Sequence, residues 1–404
     1  MPSRATKRGA ERTPLRRDCD VLVCGASFAG LAVARELAHS GADVLIVDRY
    51  EIGERQTSAC GIPTGWLSAL GLSEAERQRF GELVIHTPHA TARYRLPWTF
   101  STFDYRSLCE LLAGQGSFTF ETATVTGREN GAVLTDRGPI SAPLVVDALG
   151  WRRVLGRGRP IQPPDALLSR GLEVHPPGAG SDMEIWIDRR YVPAGYGWSF
   201  PAGDELRIGV GSFDPRFHVR EPTVRLAGDL GAPAVGYQGN WIPHALRPAT
   251  EDGVFFVGDS AGHCLPLTAE GIRTALYFGI ACGRELAAVL GGRQSRAQAL
   301  DRYHRFSAAH ARPFAWMLRV QRLIPHVAPR LLGPAVRAMS ARRFVDWSFG
   351  HYLRIAHPDY VGAGALTAAH TAAGARARAG ATRRLAVARR PREEGRAGTR
   401  SAHP

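Results

Sequence analysis

The chain has 404 residues, 44% hydrophobic and 22% charged, the composition of an ordinary globular protein long enough for two or three domains. Its net charge of +14 suggests a nucleic-acid binder until the charge is located: residues 1–17 carry +5 and residues 371–404 carry +7, leaving about +2 between them. The near-neutral body excludes nucleic acid as the expected partner.

Both basic ends are rich in Ala, Arg, Gly and Pro, and residues 1–18 and 366–404 are expected to be disordered tails. Six cysteines (Cys19, Cys24, Cys60, Cys109, Cys264, Cys282) include no C-x-x-C pair, so reduced, mostly buried thiols and a cytoplasmic setting are expected. His263-Cys264 has no clustered ligands around it, and no metal site is expected. Arg16-Arg17 leads directly into a strand, which predicts no signal peptide, and no apolar run reaches the length of a membrane span.

Cys19–Cys24 reads as a strand, Gly25-Ala26-Ser27-Phe28-Ala29-Gly30 as a tight turn, Leu31–His39 as a helix and Asp43–Val47 as a second strand ending at Asp48. This is a dinucleotide fingerprint with Ser27 at the middle glycine. Gly25 permits the turn, Gly30 lets helix approach strand, and the helix N-terminus faces a pyrophosphate. Asp48 is placed to accept hydrogen bonds from an adenosine ribose. Arg49 follows it, exposed or facing a 2′-phosphate.

Further along, alternation puts Tyr196, Trp198 and Phe200 on one strand face, where three rings can line a cavity for an apolar chain or form an ordinary aromatic core row. Gly203-Asp204 marks a hairpin between Ser199–Pro201 and Leu206–Val210, making Asp204 a turn residue. Val254–Val257 reads as a buried strand, followed by Gly258-Asp259 and a helix from Thr268 to Leu290. A carboxylate at that strand end suits the ribityl hydroxyls of a flavin, and free N–H groups at Gly271 and Ile272 suit its pyrimidine edge. Phe314–Arg354 mixes Trp, Leu and Arg, as an interfacial helix or a helical lid would.

The segments Gly25–Gly30, Asp48 and Gly258–Gly262 resemble the glutathione-reductase-type FAD fold shared by aromatic hydroxylases, halogenases and geranylgeranyl reductases. Phe103–Leu108 resembles the start of the FAD-contacting helix, with Arg106 at its basic position. Val145–Gly150 stands where these families carry an A-D-G turn, altered here around Asp147. Tyr196-x-Trp198-x-Phe200-Pro201-x-Gly203-Asp204, ending in Gly209-x-Gly211, resembles the geranylgeranyl reductase signature. Gly258–Gly262 with Pro266 and Glu270-Gly271-Ile272 resembles the same family's distal motif, and Cys60-Gly61 falls near its C-G-G segment, with Ile62 replacing the last Gly.

The resemblance implies an α/β fold: a Rossmann-type FAD-binding domain (19–66, 104–160, 240–295) interleaved with a sheet-rich substrate domain (67–103, 161–239), then a helical C-terminal region (296–365). It implies FAD held by Gly25, Ser27, Gly30, Asp48, Arg49, Arg106, Gly258, Asp259, Pro266, Gly271 and Ile272. Tyr196, Trp198, Phe200 and Pro201 would line the substrate cavity, and Cys60 would act catalytically beside the flavin. The implied activity is saturation of isoprenoid C=C bonds by hydride from reduced FAD, with NAD(P)H or a ferredoxin-like carrier as donor; separately, the basic tails would either hold the protein near an anionic membrane surface or be solvated ends. The alternative is a monooxygenase or halogenase acting on an apolar or aromatic small molecule, since halogenases carry a related W-x-W-x-I-P motif. They also need a tunnel lysine, and the chain's single lysine is Lys7. A third reading, FAD as a structural ligand of a membrane-associated protein, rests on Phe314–Arg354.

Overall fold

Val21–Cys24, four fully buried apolar residues, lies inside a six-stranded sheet. Across that sheet the strands run Thr250–Glu251, Val254–Phe256, Leu144–Asp147, Val21–Cys24, Val44–Asp48, Thr119–Thr122. All adjacent pairs are parallel except the two-residue edge strand. Continuous apolar strands of this kind are covered on both faces, and ligands bind beyond their carboxyl ends. The computed structural model describes residues 13–15, 18–56, 58–157 and 168–362. The tails expected over 1–18 and 366–404 lie outside them, apart from residues 13–15 and 18.

The helix Phe28–Glu36 packs on the long helix Ile272–Leu290 through small residues. A Cβ at Gly279 would stand 2.6 Å from the Ala29 carbonyl oxygen, and one at Gly283 would stand 2.8 Å from that of Val33. The second helix begins at Ile272, not Thr268. Thr268–Gly271 forms a turn instead, with Leu265 bridged to Glu270 and Ala269 in left-handed backbone.

The second sheet has eight strands, ordered Gln238–Pro243, Leu168–Val174, Leu206–Ser212, Gly195–Pro201, Met183–Trp186, Glu76–Thr87, Ala90–Phe103, Gly61–Pro63. Helix Arg220–Asp229 covers one face, where Leu226 packs with Val174, Ile208 and Val210. A Cβ at Gly197 would meet Leu226 at 2.7 Å. The odd-numbered residues of Gly195–Pro201 therefore face the helix and the even-numbered aromatics face away. A three-stranded meander, Val125–Glu129, Ala132–Thr135 and Gly138–Ile140, completes the β structure of the described residues.

Phe314–Arg354 is three helices rather than one: Ala311–Leu323, Pro329–Met339 and Arg342–Arg354. Pro325 and Pro329 lie at the first break, where a proline cannot continue the backbone ladder. The last two helices roof the strand Ala90–Phe103, where Val336 and Val345 pack with Tyr94 and Leu96 and Tyr94 Oη donates to the Val336 carbonyl at 2.6 Å. Among the described residues, no helix is long and apolar enough to cross a membrane.

Gly279→Val should lower unfolding stability by about 1–3 kcal/mol in denaturant titrations, because the added methyls must push apart two helices whose backbones touch. Unchanged stability would show that this contact is not tight.

Candidate functional site

The carboxyl ends of the parallel strands open into one cavity of about 1150 Å³ that continues beneath the eight-stranded sheet. Asp48 lines it at the nucleotide end, accepting from Ala26 N–H at 2.8 Å and Tyr50 N–H at 3.0 Å. Burial raises its pKa, and those two donors oppose the shift. Ser27 caps the helix Phe28–Glu36 by position only: its hydroxyl contacts Tyr105 Oη at 3.3 Å, and no acidic residue occupies the first turn. Helix Ile272–Leu290 likewise starts at Gly271 without a side-chain cap or an acidic first turn. Two helix N-termini thus offer uncapped N–H groups and positive dipole ends beside the cavity.

Asp259 lines the same cavity. Burial pushes it up to about 6, against the pull of Arg247. A half-buried carboxylate facing the cavity beside two uncapped helix ends fits a ligand bearing hydroxyls, a pyrophosphate and a polarisable ring, as FAD does. Gly258, Gly271 and Ile272 also line the cavity, and exposed Arg49 stacks on Tyr50 at its rim.

Other expected FAD residues act from behind the wall. A Cβ at Gly25 (φ +114°) would stand 2.3 Å from the Ala148 carbonyl oxygen, and one at Gly30 would stand 1.9 Å from that of Gly25, so both are dictated by turn packing. Arg106 is exposed and Pro266 buried, and neither lines the cavity; Pro266 offers its carbonyl to Gln321. Asp147 is a fully buried staple, accepting from Leu149 N–H (3.0 Å), Leu155 N–H (2.8 Å) and Ser260 Oγ (2.7 Å). His263, also fully buried, stacks on Phe278 with ring centroids 3.7 Å apart.

Beneath the eight-stranded sheet, Tyr196, Trp198 and Phe200 line the cavity together. Pro201 does not, because strand alternation turns it to the opposite face, where its ring approaches Gly180. The hairpin expected at Gly203-Asp204 is present, and Asp204 is a turn residue paired with Arg77. The glycines of Gly209-x-Gly211 now have a physical reason. Trp198 is directly across from Gly209, and a Cβ there would stand 2.2 Å from the indole Cζ2; at Gly211 it would stand 3.4 Å from Cζ3. The indole lies flat on a strip of bare backbone.

Cys60 is placed differently from expectation. Its thiol is fully buried, donates to the Ser58 carbonyl at 3.2 Å and does not line the cavity, although Ser58, Ala59 and Gly61 do. Burial raises its pKa well above the ordinary thiol value. A proton donor at the reacting carbon must reach it, so the catalytic assignment of Cys60 is withdrawn.

Two groups went unread in the sequence. Glu173 pairs across the sheet with Gly209, lines the cavity, and accepts from Trp198 Nε1 at 3.2 Å and from His175 Nε2 at 2.9 Å. Arg273, fully buried, donates to Glu270 at 2.6 Å and to the carbonyls of Leu353, Ala356 and Tyr352. It ties the turn before helix Ile272–Leu290 to the C-terminal helices, whose Phe349 and Tyr352 close the cavity. The Glu-x-His spacing of Glu173, on the strand Leu168–Val174, and His175, just beyond its end, was the available signal for the first group.

A sequence family described as FAD dependent oxidoreductase matches residues 20–106. Digeranylgeranylglycerophospholipid reductase 3 of Methanosphaera stadtmanae is 26% identical over 333 residues, covering 73% of this chain and 83% of its own. The chain is similar to FAD-dependent oxidoreductases, and its relatives include reductases of geranylgeranyl lipids. Its fold is shared by a geranylgeranyl bacteriochlorophyll reductase-like protein of Thermoplasma acidophilum (TM-score 0.74, 18% identity, 86% of this chain and 98% of that one). A flavin-dependent brominase shares it at lower similarity (TM-score 0.58, 15% identity, 83% and 99%).

Asp259→Ala should weaken FAD binding by about tenfold or more, read from flavin content after purification. Gly209→Ala should keep FAD but displace the indole, changing the near-UV circular dichroism and lowering turnover. Normal FAD content in Asp259→Ala, or normal turnover in Gly209→Ala, would contradict these placements.

Proposed function

We propose that the enzyme saturates C=C bonds in a long isoprenoid chain, the reduced flavin supplying the hydride and the protein the proton. The observation that carries this is the continuity of the FAD end of the cavity with an apolar end walled by Leu83, Leu96, Trp98, Phe100, Met183 and Phe349. An unactivated alkene has no polar handle, so its reduction depends on a dry, shaped cavity that holds it against the flavin. The names of relatives that act on geranylgeranyl lipids support the same substrate class. Electrons would come from NAD(P)H or a ferredoxin-like carrier that binds transiently, since the sequence has one dinucleotide fingerprint. The absence of any lysine beyond Lys7 weighs against halogenation.

The three C-terminal helices fit delivery of such a substrate from an anionic bilayer. Their inner side closes the cavity through Phe349 and Tyr352, while Trp316, Leu323, Leu331 and Trp347 are each at least 60% exposed. From Arg312 to Arg354 there are eight arginines against Asp346 alone. Exposed Trp and Leu among arginines match the headgroup and acyl boundary of a negatively charged leaflet.

Reduced anaerobically and given polyprenyl lipids, the protein should yield products two mass units heavier per double bond; a gain of sixteen would make it a monooxygenase. Trp198→Ala should retain FAD and lose most turnover. In flotation, the protein should rise with anionic vesicles and less with neutral ones, and Trp316→Glu/Trp347→Glu should remain in the dense fraction. Equal recovery of all three would end the bilayer proposal.

A further inference from the structure

The cavity wall beneath the eight-stranded sheet is unevenly polar. Toward Glu76–Thr87 and Ala90–Phe103 it is apolar, whereas Leu168–Val174 and Gln238–Pro243 bring Ser169, Glu173, Gln238 and Asn240 to it. Two of the polar groups on this wall are already engaged. Glu173 accepts one bond at each oxygen, from Trp198 Nε1 and from His175 Nε2, and Glu205 stands 3.4 Å from His175 Nδ1 to complete the chain Glu173–His175–Glu205. Tyr196 Oη donates to the Thr268 carbonyl at 2.6 Å.

Ser169 and Asn240 differ. Alternation puts Ser169, Gly171 and Glu173 on the cavity face, and the register sets Asn240 opposite Gly171 and Ile242 opposite Ser169. Ser169 and Asn240 are thus diagonal neighbours, about 7–8 Å apart on one face. Ser169 Oγ lies 2.6 Å from His244 Nε2, and the two residues are only 4% and 8% exposed. Burial, helped by the charge of Arg322, lowers the His244 pKa to about 4 and keeps the ring neutral, while the Leu168 carbonyl takes its other N–H. Nε2 is then the acceptor and the Ser169 hydroxyl the donor, which leaves the lone pairs of the serine oxygen for the cavity. Asn240 Oδ1 accepts from Trp241 N–H at 2.9 Å, which leaves its amide N–H groups as donors. Between them the wall is bare: a Cβ at Gly171 would lie 3.6 Å from Ile242 Cδ1 and 3.8 Å from Trp198 Cη2, ordinary contact distances. Packing demands glycine at Gly209 but not here, so the space over Gly171 is a hollow.

We propose that this hollow is the subsite for the substrate's head, and that it takes an uncharged head bearing a hydroxyl, which donates to Ser169 Oγ and accepts from Asn240. The proposal rests on the alkene-reductase reading and deepens it. A prenyl alcohol and a prenyl hydroquinone share this chemistry. From Leu168–Val174 to Ala90–Phe103 the sheet counts five strand steps, about 24 Å, so a head in the hollow and a tail in the apolar end draw the chain across Tyr196 and Trp198. Charge disfavours a phosphate at this depth. Glu173, Asp259 and Glu270 line the interior, Arg49, Arg55, Arg152 and Arg220 are exposed, and Arg170 is turned to the other face of the sheet, over Trp241.

The test gives FAD-loaded wild type, Ser169→Ala and Gly171→Ala four lipids: a polyprenyl alcohol, a polyprenyl hydroquinone, a polyprenyl phosphate and a headless polyprenyl hydrocarbon. Wild type should favour a hydroxyl-bearing lipid over the hydrocarbon and the phosphate by about tenfold or more in kcat/KM, and Ser169→Ala should cut that ratio about tenfold. The better of the two hydroxyl-bearing lipids identifies the head. Gly171→Ala, whose methyl enters the hollow, should raise KM for the same lipid with normal FAD content. A serine with only a structural role would lower turnover of hydrocarbon and alcohol alike, leaving the ratio intact; that result, or a preference for the phosphate, would overturn the proposal. Equilibrium dialysis separates it from the reductase reading. A prenyl alcohol or hydroquinone that binds wild type about tenfold tighter than Ser169→Ala, yet is not reduced, would remove the reductase reading and keep the subsite. Equal binding of both lipids to the two proteins would remove the subsite.

Discussion

The indole of Trp198 lying on the bare backbone of Gly209 is the contact on which the apolar half of the cavity depends. A side chain at Gly209 would occupy the space of the ring, and without the ring the cavity loses its floor. The indole N–H meets Glu173 on the third strand of the same row, so packing and hydrogen bonding fix one orientation. Strand alternation does the rest. Every second residue of Gly195–Pro201 serves the helix behind, which requires small side chains there and frees the aromatics for the cavity.

At the other end the constraint is electrostatic. Two helices begin at the cavity without capping side chains, and Asp48 and Asp259 stand at strand ends with burial opposing their charge. Together these match the charge pattern of one extended dinucleotide. Arg273 joins this end to the roof: one buried guanidinium holds Glu270 on the turn before Gly271 and three carbonyls of the C-terminal segment. The position of the roof is therefore coupled to the loop that would face the flavin.

The sequence was legible wherever a local rule acts. The fingerprint Gly25–Gly30 with Asp48, the hairpin at Gly203-Asp204 and the inward face of Tyr196, Trp198 and Phe200 all follow from turn chemistry or period-two alternation. Pro201 was misplaced because it belongs to the motif but not to the face, and alternation applied one residue further would have turned it away. Cys60 was misplaced because its neighbours line the cavity while its own left-handed backbone carries the thiol elsewhere, which spacing alone does not reveal. The helix start at Ile272 depends on a four-residue turn stabilised from the C-terminal helices, and the Glu173–His175–Glu205 chain depends on register between distant strands. Both arise from contacts between residues far apart in the chain.

The central claim is that one dry cavity brings a reduced flavin and an isoprenoid alkene together. Single-turnover reoxidation tests it most directly. With the enzyme reduced and oxygen removed, a polyprenyl lipid should restore oxidised-flavin absorbance, and its fully saturated analogue should not. Flavin that stays reduced with both lipids and reoxidises only when oxygen is admitted would contradict the account.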